Sequence, residues 1–134
     1  MDLERAKGFI HDRRQGILAT IRRDGRPQLT SVLFFLDDDG RVKISTTRPT
    51  AKVHNLRRDP RAVLHVSGSS FYEYAAIEGI VEFIEGGGIL PELRRYYKRV
   101  AGEHPNWAEY DAAMIRDQRL LLSLSVDRAY GMLR

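Results

Sequence analysis

Apolar residues recur near the start of the chain at Leu3, Ala6, Phe9 and Ile10, a spacing that puts them on one face of a helix over residues 2–13. Asp2 is placed to cap it. From Gly16 the pattern changes to a β-rich run through Ile21, and Asp24-Gly25 signals a tight hairpin. Residues 28–36, QLTSVLFFL, begin with polar side chains and end in an unbroken apolar run, as in a strand buried on both faces. After the Asp37–Gly40 turn, residues 41–46 alternate polar and apolar, which predicts a strand with one wet face. Pro49 breaks it, and residues 50–58 read as a short helix capped by Thr50 and stopped by Asp59-Pro60. Strands follow over 61–66 and 72–85, the second with Gly79 as a bulge or bend. Two helices come next, one entered at Pro91 and ended at Gly102, the other capped near Asn106. A last strand over 120–126 leads into a short tail.

Strands joined by tight turns pair antiparallel, and too few helices separate them for a doubly wound parallel sheet. The expectation is therefore a mainly β protein: about six antiparallel strands closed into a barrel, with flanking helices. At 134 residues, with no repeat and no linker, the chain reads as one domain over 1–134. Apolar residues at 43% and charged residues at 30% describe a folded globular chain. Cysteine is absent, which excludes disulfides, thiolate metal sites and thiol catalysis. No apolar run reaches the ~18 residues of a membrane span, and the N-terminal segment lacks a signal core. A cytoplasmic protein with no membrane partner is expected. The net charge of +4 favours anionic partners without naming them.

Neither a nucleophile elbow, a Walker loop nor a Rossmann glycine fingerprint is present. The histidines, His11, His54, His65 and His104, are not spaced as metal ligands, so no metal site is expected. His65 reads as a core or interface residue, and Asp37–Asp39 as a solvated turn. The basic pairs are scattered over separate elements rather than gathered in a stripe, which argues against nucleic acid. Two segments carry candidate chemistry. Residues 45–55, STTRPTAKVHN, join a strand end to a helix start and combine hydroxyls with Arg48 and Lys52. Such a helix start offers free N–H groups and a positive dipole end, a setting for phosphate or for an ordinary capped helix. The strand Gln28–Leu33 offers an edge able to read the rim of a planar heterocycle, or else simply turns its Thr and Ser to water.

Several of these residues together resemble a known family. Gly16-Ile-Leu-Ala-Thr, Asp24-Gly-Arg-Pro-Gln, Ser45-Thr-Thr…Ala51-Lys52 and Asn55-Leu-Arg-Arg-Asp-Pro-Arg-Ala62 look like the pyridoxamine 5′-phosphate oxidase (PPOX) class of FMN-binding split barrels. Ala76-Ile-Glu-Gly79 matches its next strand. Ala101-Gly-Glu-His104…Trp107…Tyr110, Arg119-Leu-Leu-Leu and Tyr130-Gly131 are similar to the deazaflavin-dependent flavin/deazaflavin oxidoreductase B branch. The resemblance implies a six-stranded antiparallel split barrel and a homodimer with cofactor clefts between subunits. It implies an oxidoreductase that passes a hydride from reduced coenzyme F420 to an unsaturated small molecule, with FMN or a non-catalytic carrier role as alternatives. By position it assigns Thr30, Ser31 and Val32 to the ring, Ser45, Thr46 and Thr47 to the ring or ribityl chain, and Gln28 to the cofactor site as well. Lys52, Asn55 and Arg48 fall at the phosphate, while Tyr72 and Tyr74 would close the pocket from the other subunit. No catalytic side chain is implied, and the proton is expected from solvent or a hydroxyl such as Tyr74. The chain departs from the flavin oxidases in having Ala51 and Thr30 where those carry arginines at the phosphate.

Overall fold

The computed structural model describes residues 1–134. Its elements in chain order are α1 (Leu3–Ile10), β1 (Gln15–Ile21), β2 (Pro27–Leu36), β3 (Val42–Thr47), α2 (Ala51–Arg58) and β4 (Arg61–Ser67). They continue with β5 (Tyr74–Ile84), α3 (Ile89–Ala101), α4 (Trp107–Arg116), β6 (Arg119–Leu124) and β7 (Arg128–Met132). Six strands close into an antiparallel barrel in the order β4-β1-β2-β3-β6-β5, with β5 returning to β4. The mainly β barrel expected from the pattern is the fold. The seventh strand, β7, lies outside the barrel against Tyr74–Glu78 of β5, where only a tail was expected. It is five residues long, mostly exposed and interrupted by Gly131, so it has no alternation to betray it.

Alternate residues of the strands point inward. Leu18, Phe34, Ile44, Leu64, Ile77 and Leu122 are buried at the centre of the barrel, and Ala6 and Ile10 of α1 join that core. Gly79 sits where β5 passes from β4 to β6, and a Cβ there would lie 1.8 Å from the Ser125 carbonyl oxygen. Close backbone approach, rather than a bulge, is what requires glycine at this position.

The barrel wall opens at one place. β2 and β3 pair only over Phe34–Leu36 against Val42–Ile44. Back from Phe34, β2 remains bonded to β1, while beyond Ile44, β3 remains bonded to β6. The two strands therefore diverge between Leu33 and Ser45. Tyr96 of α3 fills the root of the split: its ring centre is 6.0 Å from that of Phe35, and its hydroxyl donates to the Leu33 carbonyl at 2.8 Å.

α3 is fastened beside this split by charge. Arg95 donates to both Asp37 carboxylate oxygens, at 2.9 and 2.6 Å, and Lys43 of β3 donates to Asp37 at 2.9 Å and Asp39 at 2.7 Å. Asp37 and Lys43 are both buried. The acidic turn is thus not simply solvated as expected. A buried lysine needs a carboxylate, and Asp37 meets that need while also receiving a guanidinium from α3. The Arg95 hydrogen bonds, with help from Lys43, hold the Asp37 carboxyl well below the usual carboxylate range.

Candidate functional site

The split in the barrel is the floor of a cleft of about 630 Å³. One lip is β2 at Ser31, Val32 and Leu33, and the other is β3 at Ser45, Thr46 and Thr47. Backbone alternation fixes what the β2 lip offers. Phe34 donates its N–H to Arg14 beside β1, so Leu33 and Ser31 turn their backbone groups the opposite way, into the split. The Leu33 carbonyl is taken by Tyr96. The Leu33 N–H and both backbone groups of Ser31 then face the cleft with no strand opposite them.

The start of α2 forms one end of the cleft. Thr50 is its N-cap residue but makes no side-chain cap; its hydroxyl donates to the Thr47 carbonyl at 2.9 Å instead. The first-turn amides of α2 are left as free donors beside Thr50 and Lys52, both of which line the cleft. Arg119, the first residue of β6, lines it too, and the Arg119 Nε is buried with no hydrogen-bond partner. Neither cation forms an ion pair with a carboxylate. Partial burial of the Lys52 ammonium, with the charge of Arg119 nearby, pushes its pKa below the usual lysine value. Two unneutralised cations, free amides and five serine and threonine hydroxyls in one concavity suit an anion with a polar neck beside it.

The opposite wall is aromatic, built from Tyr96 and Tyr97 of α3, His104 of the α3–α4 loop and Tyr110 of α4. Tyr97 stands edge-on to His104, Trp107 and Tyr110 with ring centres 5.1, 5.9 and 5.2 Å away. Tyr110 donates its hydroxyl to the Leu93 carbonyl at 2.8 Å. Burial pushes the Tyr110 phenol up to about 12 and raises Tyr96 as well, so both stay protonated and committed to carbonyls.

The residues assigned from sequence divide into two sets. Ser31, Val32, Ser45, Thr46, Thr47 and Lys52 come together in the cleft, while the following residues lie elsewhere. Asn55 is buried and donates to Thr20 Oγ1 at 3.1 Å and Gln28 Oε1 at 3.0 Å, so both Asn55 and Gln28 serve a junction of α2 with β1 and β2. Thr30 of β2 pairs with Leu18 of β1 and lies outside the cleft lining. Arg48 reaches Glu85 at 3.5 Å, and Glu85 is already held by Arg57 at 2.8 and 2.6 Å. Tyr72 is exposed at the β4–β5 turn, and Tyr74 stacks on His65 with ring centres 5.0 Å apart, both away from this chain's cleft. Sequence reasoning did not single out Thr50, Arg119 or the aromatic wall as site residues. Arg119 stands out in the sequence only within the Arg119-Leu-Leu-Leu motif, because what distinguishes it at the site is the absence of a charge partner in three dimensions.

The whole chain fits a known family. Residues 3–133 match the family model described as pyridoxamine 5′-phosphate oxidase, and the chain belongs to that family of split barrels. It is similar to the conserved hypothetical protein Rv2991 from Mycobacterium tuberculosis, at 26% identity and TM-score 0.75, over 96% of this chain and 82% of that one. An F420 reductase superposes with TM-score 0.74 at 20% identity, covering 94% of this chain and 96% of the other. A putative pyridoxamine 5′-phosphate oxidase from Listeria innocua superposes with TM-score 0.72 at 12% identity, over 98% of each chain. The last two likenesses are of fold.

Proposed function

We propose that this protein is a reductase that binds coenzyme F420 in the split of its barrel and supports hydride transfer to an unsaturated small molecule. The observation that carries this reading is the pairing of Lys52 with Arg119, two cations without carboxylates beside the free amides of α2. The residues fit a phosphate-bearing planar cofactor. Lys52, Arg119 and the α2 amides would hold the phosphate; Ser45, Thr46 and Thr47 would follow the chain that leaves it; the exposed β2 edge at Ser31 and Leu33 would meet the polar rim of a ring system. When bound, reduced F420 supplies the hydride from its ring carbon C5.

The protein's own tasks are then binding, orientation and exclusion of water. Tyr96 fixes the β2 edge through the Leu33 carbonyl, so the ring would meet a preset pattern of donors and acceptors. Neither Tyr96 nor Tyr110 is a proton source, since each hydroxyl is bonded to a carbonyl and raised in pKa. The proton that completes reduction of the acceptor therefore comes from solvent or from an unbonded hydroxyl. F420 is favoured over FMN because Ala51 stands at the start of α2 where flavin oxidases carry a phosphate-binding arginine, and one structural neighbour is an F420 reductase. The functional unit we propose is a homodimer inside the cell, with Tyr72 and Tyr74 serving the partner's site.

Parallel fluorescence titrations with F420 and with FMN decide the cofactor. The reading predicts saturable binding of F420 and markedly weaker binding of FMN. Protein that purifies yellow and releases FMN on heating would overturn it in favour of the flavin.

A further inference from the structure

A second depression, of about 880 Å³, lies across β2 from the cleft. The two share Ser31, Val32 and Leu33, so anything bound in one lies next to anything bound in the other. Ile17, Val32 and Leu33 give the second groove an apolar side, and His65, backed by its stacking on Tyr74, lines it too. Its charge comes from the α1–β1 corner. Arg14 donates Nε to the Arg99 carbonyl at 3.1 Å and Nη1 to the His11 and Arg13 carbonyls, both at 2.9 Å. Three backbone carbonyls thus fix the guanidinium in place, yet it faces no carboxylate and its Nη2 has no partner. A planar fork held rigid with one end unengaged is preorganised for an oxyanion. Arg13 beside it is engaged with the Phe9 carbonyl and ring, and it faces the Glu73 carboxylate, which already accepts from Ser69 and Arg134. Asp12, the groove's one carboxylate, is exposed and pairs with His11 at 2.9 Å.

We infer that this groove is the acceptor site, and that it selects a planar conjugated molecule bearing a carboxylate, with the acid on Arg14 and the apolar part against Ile17 and Val32. Its role as acceptor site and the conjugation of its ligand rest on the hydride-transfer reading above; its preference for an anion with an apolar body rests on the groove alone. Binding involves no covalent step. A second copy on the exposed face around Ile17, Leu29 and Leu33 would stand at the groove's rim and limit its open side.

The test uses the cofactor-free protein and trans-cinnamate, with neutral trans-cinnamamide as control, followed by amide shifts in 1H–15N spectra. Cinnamate is expected to shift the amides of Gly16, Ile17 and Gly68, with cinnamamide about tenfold weaker. Arg14→Gln should weaken cinnamate about tenfold, and Arg14→Lys should recover part of the loss. Lys52→Ala should leave cinnamate binding unchanged. No shift at millimolar cinnamate, equal affinity for the amide, or shifts confined to Ser45–Lys52 would overturn the inference. Because no cofactor is present, cinnamate binding at Arg14 together with a failed F420 titration would uphold the groove while removing the cofactor reading.

Discussion

Lys52 and Asn55 are three residues apart on α2, and the fold gives them different work. Lys52 keeps its charge free at the cleft. Asn55 spends its amide on Thr20 and Gln28, and its carbonyl oxygen accepts from Arg58 at 3.2 Å. Asn55→Ala should therefore destabilise the protein by about 1–3 kcal/mol in urea unfolding, since it strands buried partners. F420 affinity of the folded variant should hardly change; a normal unfolding midpoint with lost affinity would contradict this division. Side-chain types were legible here, partners were not. The hydroxyls of Ser45–Thr47 and the charge of Lys52 are visible in local order, which suits a phosphate setting and an ordinary capped helix alike. Asn55 reaches β1 across 35 positions, and Arg119 reaches Lys52 from the far end of the chain, so tertiary packing alone decides both.

Among the elements, α3 does the most to define the cleft, because Tyr96 props open the divergence of β2 from β3. Its seat depends on Arg95, Asp37 and Lys43. Asp37→Asn removes a buried carboxylate from two cations and should cost about 3 kcal/mol of stability, measured by chemical unfolding. The native Asp37 carboxyl titrates below its ordinary value of 3.8, so its contribution is full above that value. That contribution should fade as pH falls toward the native pKa, and the variant should lack this part of the acid limb. An unchanged acid limb would show that the clamp carries little of α3's attachment. Element order and type were readable from periodicity, since each long strand and amphipathic helix buries its own apolar face. The split was not, because the point where β2 leaves β3 is set by an inserted tyrosine some sixty residues away. β7 escaped for a related reason: it is held by pairing to β5 rather than by any apolar face of its own.

At the scale of the whole molecule, charge and exposed apolar surface are both uneven. The arginines around Arg48–Arg58 are engaged away from the cleft, with Arg48 and Arg57 sharing Glu85 and Arg58 donating to the Ile21 carbonyl at 2.7 Å. Within the cleft, the charge available to an anion is that of Lys52 and Arg119. The outer face of β1, β2, β4, β5 and β7 carries Ile17, Leu29, Leu33, Ile80, Tyr130 and Met132, all exposed, a surface suited to a second copy. Light scattering should give twice the 15.4 kDa chain mass, and Leu29→Glu should shift it toward the monomer. A native mass of one chain would refute the dimer.

The central claim is that Lys52 and Arg119 hold the cofactor phosphate while Arg48 does not. The most direct measurement is F420 affinity, by fluorescence titration, of Lys52→Ala, Arg119→Met and Arg48→Ala beside the native protein. Losses of about 1.5–3 kcal/mol are predicted for the first two, as for charge-assisted hydrogen bonds, with Arg48→Ala near native. Native affinity in both Lys52→Ala and Arg119→Met, or a loss confined to Arg48→Ala, would contradict the account.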